Sequence, residues 1–117
     1  MSTFLLSAHN SIIKEFKIHG YWQMISLPEN ANVLNVIVKD SIPVMIVLLN
    51  PYNKFEERIF ILLKSNQVLE KGYYAYIGTY YDSENNALHL MEVMNGFHNG
   101  IKEHELERII NGNYLKT

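Results

Sequence analysis

One stretch decides the fold of this chain: Gly72-Tyr73-Tyr74-Ala75-Tyr76-Ile77-Gly78-Thr79-Tyr80-Tyr81, which holds five of its eight tyrosines. Aromatic residues at a two-residue period predict a β-strand, because side chains alternate between the two faces of a strand. A regular strand places Tyr74, Tyr76 and Tyr80 on one face. Gly78 leaves a gap in that row, and we expect an aromatic side chain of a neighbouring strand, another backbone or a ligand to fill it.

Alternating or continuous apolar runs predict further strands on both sides of this stretch. One of them, residues 42–49, is apolar at both alternating sets of positions, so we expect it to be covered on both faces. Turn residues separate the runs, among them Pro28-Glu29-Asn30 and Asn50-Pro51-Tyr52-Asn53. The further strands are predicted at residues 12–18, 22–27, 32–39, 42–49, 55–64 and 87–93.

A helix is predicted at residues 100–112. Asn99-Gly100 can cap its start, and Asn111-Gly112 supplies a left-handed stop. Glutamates in its first half suit the positive end of the helix dipole. The apolar stripe of this helix is narrow, so we expect the sheet to close partly on itself or a second subunit to cover the rest. The stripe consists of Ile101, Leu106, Ile109 and Ile110.

These elements together predict an α+β fold: a mainly antiparallel, twisted or partly closed sheet of six to seven strands with one C-terminal helix. At 117 residues the chain is expected to form a single domain over residues 1–117. Its β-rich core would span residues 12–93, and its helix would span residues 100–112.

The amino-acid composition limits the classes of partner that the chain can bind. Hydrophobic residues make up 48% of the chain and charged residues only 19%, which excludes disorder and predicts that self-association covers some apolar surface. With a net charge of -2 and only two arginines, the chain has no basic stripe for duplex nucleic acid. The partner that the composition predicts is therefore a second copy of the chain.

The sequence also predicts the compartment. Cysteine is absent, which excludes disulfides and thiolate metal sites. The N-terminal residues lack a signal peptide pattern, and no apolar run approaches the roughly 20 residues that cross a bilayer. We therefore expect no membrane association and a location in the cytoplasm.

No catalytic or metal-binding pattern is recognisable. The histidines lack the helical or clustered spacing of a metal site. No serine lies on a glycine-flanked turn of the kind that activates a nucleophile. We predict that the protein is not an enzyme and has neither a catalytic residue, a metal nor a cofactor. The five histidines are His9, His19, His89, His98 and His104.

The remaining interpretation of the chemically functional residues is a binding site. Tyr74, Tyr76 and Tyr80 could stack on a planar group, and the guanidinium groups of Arg58 and Arg108 could hold a phosphate or carboxylate. These five residues are the predicted ligand-binding site for a small anionic molecule. The structural alternative is that Arg58 pairs across strands and Arg108 pairs on the helix surface.

The order of short motifs resembles a family of small uncharacterised bacteriophage proteins. That family has a first strand, a Met-Pro turn with a Val-rich strand, and a late Tyr-Ile-Gly-Thr strand paired with a strand that carries a histidine. The motifs that carry the resemblance are residues 13–18 (IKEFKI), 24–28 (MISLP), 31–36 (ANVLNV), 57–60 (ERIF), 76–79 (YIGT) and 87–92 (ALHLME). In outline, the predicted fold is also similar, more weakly, to phage anti-defence nucleotide sponges.

The resemblance implies a phage or prophage origin and a counter-defence role in the cytoplasm of a host cell, with a small nucleotide-like ligand or a host defence protein as the partner. The implied function is that of a non-enzymatic binding protein that sequesters a small anionic nucleotide-like signal or blocks a host protein. The alternative is an oligomeric interaction module with no small-molecule ligand, which would use the apolar strand at residues 42–49 and the helix stripe.

Overall fold

The computed structural model describes residues 5–94, and the regular structure within them is entirely β. Each strand begins and ends near a turn residue, as the alternating apolar pattern predicts. The strands are β1 (Ile12–Lys17), β2 (Trp22–Pro28), β3 (Asn32–Lys39), β4 (Ile42–Leu49), β5 (Phe55–Lys64), β6 (Tyr74–Tyr81) and β7 (Ala87–Val93).

The seven strands form two antiparallel sheets, one of three strands in the order β1-β4-β3 and one of four strands in the order β2-β5-β7-β6. The two sheets share a buried apolar core, as in a β-sandwich. Its largest fully buried members include Phe60, Leu27, Met45, Leu90 and Val47.

The predicted α+β fold with a single sheet is therefore wrong. The described residues contain no helix, and their strands are divided between two sheets. The helix predicted at residues 100–112 lies outside the described residues. The error has a physical cause, because a two-residue period identifies a strand but carries no information about which strand it pairs with.

The connection between β1 and β2 crosses from one sheet to the other. Ile18 N donates to Pro43 O at 2.9 Å in the first sheet, and Leu62 N donates to Tyr21 O at 2.9 Å in the second. The crossing residues include Gly20, whose φ of 78° lies in the left-handed region that glycine adopts without strain. β1 and β2 are consequently edge strands of different sheets rather than a hairpin.

β4 is covered more completely on its inner face than on its outer face, where Ile42, Ile46 and Leu48 are only half-buried, so the covering of both faces that its sequence predicts is incomplete. On the inner face, Met45, Val47 and Leu49 belong to the core. On the outer face, Val44 is only 2% exposed, although no second sheet lies there among the described residues. A salt bridge between Lys39 Nζ of β3 and Glu15 Oε1 of β1, 3.1 Å long, passes across β4 and helps to cover it.

β3 and β6, the edges of different sheets, approach each other where both are irregular. The register of β3 shifts between Val33 and Asn35, and that of β6 shifts between Tyr76 and Gly78. A Cβ built on Gly78 would lie 3.0 Å from Val36 Cγ1. The gap that glycine leaves in the tyrosine row is thus filled by the facing sheet, not by a ligand.

Among the described residues, no helix has the length and apolarity needed to cross a membrane.

Candidate functional site

The tyrosine strand presents its aromatic residues on both faces. Tyr76 lies opposite Met91, whereas after the irregularity at Ile77 the next pairs place Tyr80 opposite Leu88. Met91 belongs to an apolar cluster on the outer face of the four-stranded sheet, and Leu88 belongs to the core between the sheets. One inserted residue reverses the alternation, as a β-bulge does.

The expectation that Tyr74, Tyr76 and Tyr80 share one face is therefore wrong. Tyr80 is 8% exposed and lies in the core, whereas Tyr76 is 62% exposed on the outer face. Tyr74 packs against the outer cluster, and its hydroxyl donates to Glu70 O at 2.9 Å. The structure brings Tyr74 and Tyr76 to one face and separates Tyr80 from them.

Burial changes the acidity of two of these phenols. Desolvation, with a smaller contribution from Glu70, raises the pKa of Tyr74 from 10.0 to about 12. Desolvation also raises the pKa of Tyr80 to about 12, and the charges of Tyr21 and Asp82 add to the shift. Both tyrosines are therefore neutral at physiological pH.

Arg58 forms an ion pair inside the sandwich. Its Nε and Nη2 donate to Oε2 and Oε1 of Glu92, each at 2.6 Å, and its Nη1 donates to Ala31 O at 2.7 Å. The side chains of Arg58 and Glu92 are 15% and 8% exposed. The guanidinium also lies over the ring of Phe60, 5.9 Å from its centroid.

This geometry limits what Arg58 can hold. The bidentate face of the guanidinium, which would bind a phosphate, already binds a carboxylate. An anionic ligand would have to displace Glu92 and leave it buried without a partner, at a high cost. The second predicted arginine, Arg108, lies outside the described residues. The cross-strand alternative considered for Arg58 thus agrees with its position, although the partner is Glu92 rather than a neighbour in sequence.

A chain of hydroxyl groups surrounds His89 on the outer face of the four-stranded sheet. Ser65 Oγ lies 2.9 Å from His89 Nε2, and Thr79 Oγ1 lies 2.8 Å from His89 Nδ1. The Thr79 hydroxyl also contacts the Tyr76 hydroxyl. Because hydroxyl groups can donate or accept, both ring nitrogens are satisfied in either tautomer.

The contact between Ser65 and His89 is one element of a nucleophilic site. A complete site also needs preorganised donors for an oxyanion, placed around a bound substrate. Ser65 is exposed at the end of β5, and the contact connects β5, β6 and β7 across the sheet surface. We interpret the cluster as a cross-strand polar link. Sequence reasoning missed it because Ser65 and His89 are 24 residues apart and only strand pairing brings them together.

β1 is the most exposed strand and forms one edge of the three-stranded sheet. It pairs with β4 on one side, and among residues 5–94 no strand pairs with its other side. Ile12 and Ile13 are 49% and 61% exposed. An exposed edge with apolar side chains is a template for pairing with another chain.

Three of the six residues of β1 are charged, namely Lys14, Glu15 and Lys17. Lys14 and Phe16 share the inner face, where Lys14 Nζ lies 5.5 Å from the centroid of the Phe16 ring. Glu15 and Lys17 share the outer face. Charge on an edge strand restricts the partners and registers that can add to it. The edge of β1, with which no strand of residues 5–94 pairs, is therefore selective.

A metal centre finds no support in the described part of the chain, where no group of three or more potential metal ligands comes together. Comparison with known proteins gave no match, whether to protein-family models, to curated sequences or to solved structures. The resemblance to the bacteriophage family accordingly stays a prediction.

Proposed function

We propose that this protein is a non-enzymatic interaction module that associates with a second copy of itself through the outer edge of β1. The single observation that supports the proposal is that no strand of residues 5–94 pairs with this edge, on a strand whose residues are mostly exposed. Pairing two β1 strands would join two three-stranded sheets into one continuous sheet. Backbone hydrogen bonds would supply affinity, and side chains would set the register.

The charges of β1 favour one register. In an antiparallel dimer whose two-fold axis is normal to the sheet, each residue stays on its own face of the sheet. One residue at the centre of the pairing then lies opposite the same residue of the second copy. Centring on Lys14, Glu15 or Lys17 places like charges directly opposite each other, which is destabilising. Centring on Ile13 avoids this clash. Centring on Phe16 also avoids it and places Glu15 opposite Lys17 of the second copy, twice in the dimer.

The register centred on Phe16 is consequently the one that we propose. Each cross-strand pair of opposite charges contributes about 0.2 to 1 kcal/mol. Glu15 is already within 3.1 Å of Lys39 of its own chain, and its side chain is still 48% exposed. A carboxylate has enough acceptor sites to bind both lysines.

Sedimentation velocity over a wide concentration range, at low salt, tests the proposal. We expect wild-type protein to dimerise, and each of the single variants Glu15→Lys and Lys17→Glu to dimerise about tenfold more weakly, because two cross-strand pairs become repulsive. The double variant E15K/K17E restores the opposite charges and should recover dimerisation. Lys54→Glu, an exposed charge reversal away from β1, is the matched control.

Two results would contradict the proposal. One is wild-type protein that stays monomeric at every concentration. The other is a dimer whose affinity is unchanged in both single variants, which would locate the interface elsewhere. Thermal unfolding of each variant separates lost association from lost folding, because Glu15→Lys also removes the salt bridge to Lys39.

The phage origin and the counter-defence role rest on the sequence resemblance and stay predictions. The sequestering of a small anionic nucleotide-like signal also stays a prediction. Its main support among the described residues is Tyr76, an exposed aromatic ring beside the Thr79 hydroxyl and the ring of His89. The engagement of Arg58 with Glu92 makes self-association the better supported function.

A further inference from the structure

We propose that a cavity at one end of the sandwich, lined by asparagine side chains, binds a small neutral saccharide. The cavity has a volume of about 380 Å³, within the usual range for small-molecule sites. It lies between the segment before β1, the turn between β2 and β3, and the turn between β4 and β5. Its polar lining includes Asn30, Asn32, Asn50, Asn53, Ser7 and His9.

Two of the asparagines hold the walls of the cavity together. Asn50 Nδ2 donates to His9 O at 2.9 Å, and Asn50 Oδ1 accepts from Tyr52 N at 2.9 Å. Asn53 Nδ2 donates to Glu29 O at 2.9 Å. These bonds connect the segment before β1 to the turns on either side, so the cavity is built before any ligand arrives.

The other two asparagines have unused hydrogen-bonding capacity. The side-chain amides of Asn30 and Asn32 form no hydrogen bond with any described residue, and both residues are exposed. Each primary amide offers two donor hydrogens and an acceptor oxygen. A donor and an acceptor side by side match two neighbouring hydroxyl groups, because each hydroxyl can both donate and accept.

The charge of the lining selects a neutral ligand. None of the described residues that line the cavity is a carboxylate, a lysine or an arginine. An ionic ligand would lose water there without gaining a counter-charge. A saccharide needs no counter-charge and can satisfy several amides at once. Leu48 and Leu49 supply the apolar part of the wall.

An exposed tyrosine lies next to the cavity in the chain. Tyr52 is 86% exposed and lies between Asn50 and Asn53 in the same turn, where its own backbone N–H is bound by Asn50. The bond fixes the backbone of Tyr52, and its exposed ring is available to stack on the apolar C–H face of a sugar. A saccharide can thus be bound by two kinds of contact, hydrogen bonds from the amide groups to its hydroxyls and packing of the tyrosine ring on its C–H face.

Chemical-shift perturbation on isotope-labelled full-length protein tests this inference. Separate titrations use glucose, galactose and N-acetylglucosamine, with glucose 6-phosphate as the charged counterpart of glucose. We expect saturable shifts at the side-chain amide signals of Asn30 and Asn32 with at least one neutral sugar. Glucose 6-phosphate should bind more weakly than glucose.

Single substitutions test whether the sugar binds at this cavity. Asn32→Ala and Tyr52→Ala should each weaken the binding of the sugar about tenfold, which corresponds to one lost contact. Tyr73→Ala removes another exposed ring, 73% exposed, and should leave binding unchanged. The dispersion of the backbone amide signals shows whether each variant is folded, and Tyr52→Ala changes a turn side chain that is almost fully in solvent.

Three outcomes would overturn the inference. They are the absence of saturable shifts with all three neutral sugars, tighter binding of glucose 6-phosphate than of glucose, and unchanged sugar affinity in both cavity variants. Dimerisation through β1 is measured separately, so the result for the cavity is independent of the result for the strand edge.

Discussion

The guanidinium of Arg58 and the carboxylate of Glu92 form two parallel hydrogen bonds, each 2.6 Å long, although the residues are 34 positions apart in the chain. A third bond, from Arg58 Nη1 to Ala31 O, connects the pair to the turn between β2 and β3. The pair therefore joins β5, β7 and this turn at one end of the sandwich. Its low exposure makes it sensitive to the loss of either partner.

Removing one member of this pair should be far more damaging than replacing both. We expect Glu92→Ala to lower the free energy of unfolding by about 3 to 5 kcal/mol, because a buried guanidinium is left without its counter-charge. The double variant Arg58→Met with Glu92→Leu should recover much of this loss. Urea denaturation measures both. A single variant as stable as the wild type would contradict the buried ion pair.

Truncation of the two tyrosines on either side of the bulge should reduce stability to very different extents. Tyr80→Ala empties a core position and should cost about 3 kcal/mol or more. Tyr76→Ala removes a side chain that is 62% exposed and should cost less than about 1 kcal/mol. Chemical denaturation compares them. Equal losses of stability would mean that the alternation of β6 does not reverse at Ile77.

A methyl group at Gly78 should strain the contact between the two sheets. The added Cβ would lie 3.0 Å from Cγ1 of Val36, a buried β-branched residue with little rotamer freedom. We expect Gly78→Ala to cost about 1 to 3 kcal/mol. The substitution should cost less in a Val36→Ala background, which a double-mutant cycle measures. Independent, additive effects would exclude the contact as the cause.

Alkaline pH should destabilise the fold through Tyr74 and Tyr80. Their pKa values are about 12 in the folded protein and near 10 when unfolded, so the native state retains both protons more tightly. Stability from these groups is complete below pH 10 and is lost between roughly pH 10 and 12. The absorbance of tyrosinate, followed against pH, should show that a fraction of the tyrosines ionises at a higher pH than the rest.

The variant Tyr80→Phe supplies the control for this titration. It should remove part of the late-ionising fraction, because one of the two shifted phenols is gone. It should also make stability less sensitive to alkaline pH, since one linked proton is lost. A late fraction of unchanged size in this variant would show that other tyrosines produce it.

Much of the local structure could be predicted from neighbouring residues. The alternation of apolar residues located the strands, and the turn after β2 forms at the predicted residues, with Asn30 at a φ of 66° and Ala31 N donating to Pro28 O at 3.1 Å. These features depend on side chains and backbone within a few positions of each other. The predicted strands at residues 32–39, 42–49, 55–64 and 87–93 have the bounds that the structure gives them.

The candidate sites were less accessible to sequence reasoning. The bulge at Ile77 directs Tyr80 into the core, and no local sequence pattern indicates where such an extra residue is inserted in a strand. Ser65 and His89 meet only because β5 pairs with β7. The asparagine-lined cavity combines residues from three turns and segments whose polar composition looks like ordinary loop chemistry.

The sequence by itself determined that the chain forms strands and where most of them begin and end. Only the tertiary structure decided that the strands divide into two sheets, that Arg58 meets Glu92, and that β1 is left at an edge. The physical reason is the distance along the chain over which each effect acts. Side-chain alternation and turn preferences act over a few residues, whereas strand pairing selects among distant segments by the packing of the whole core.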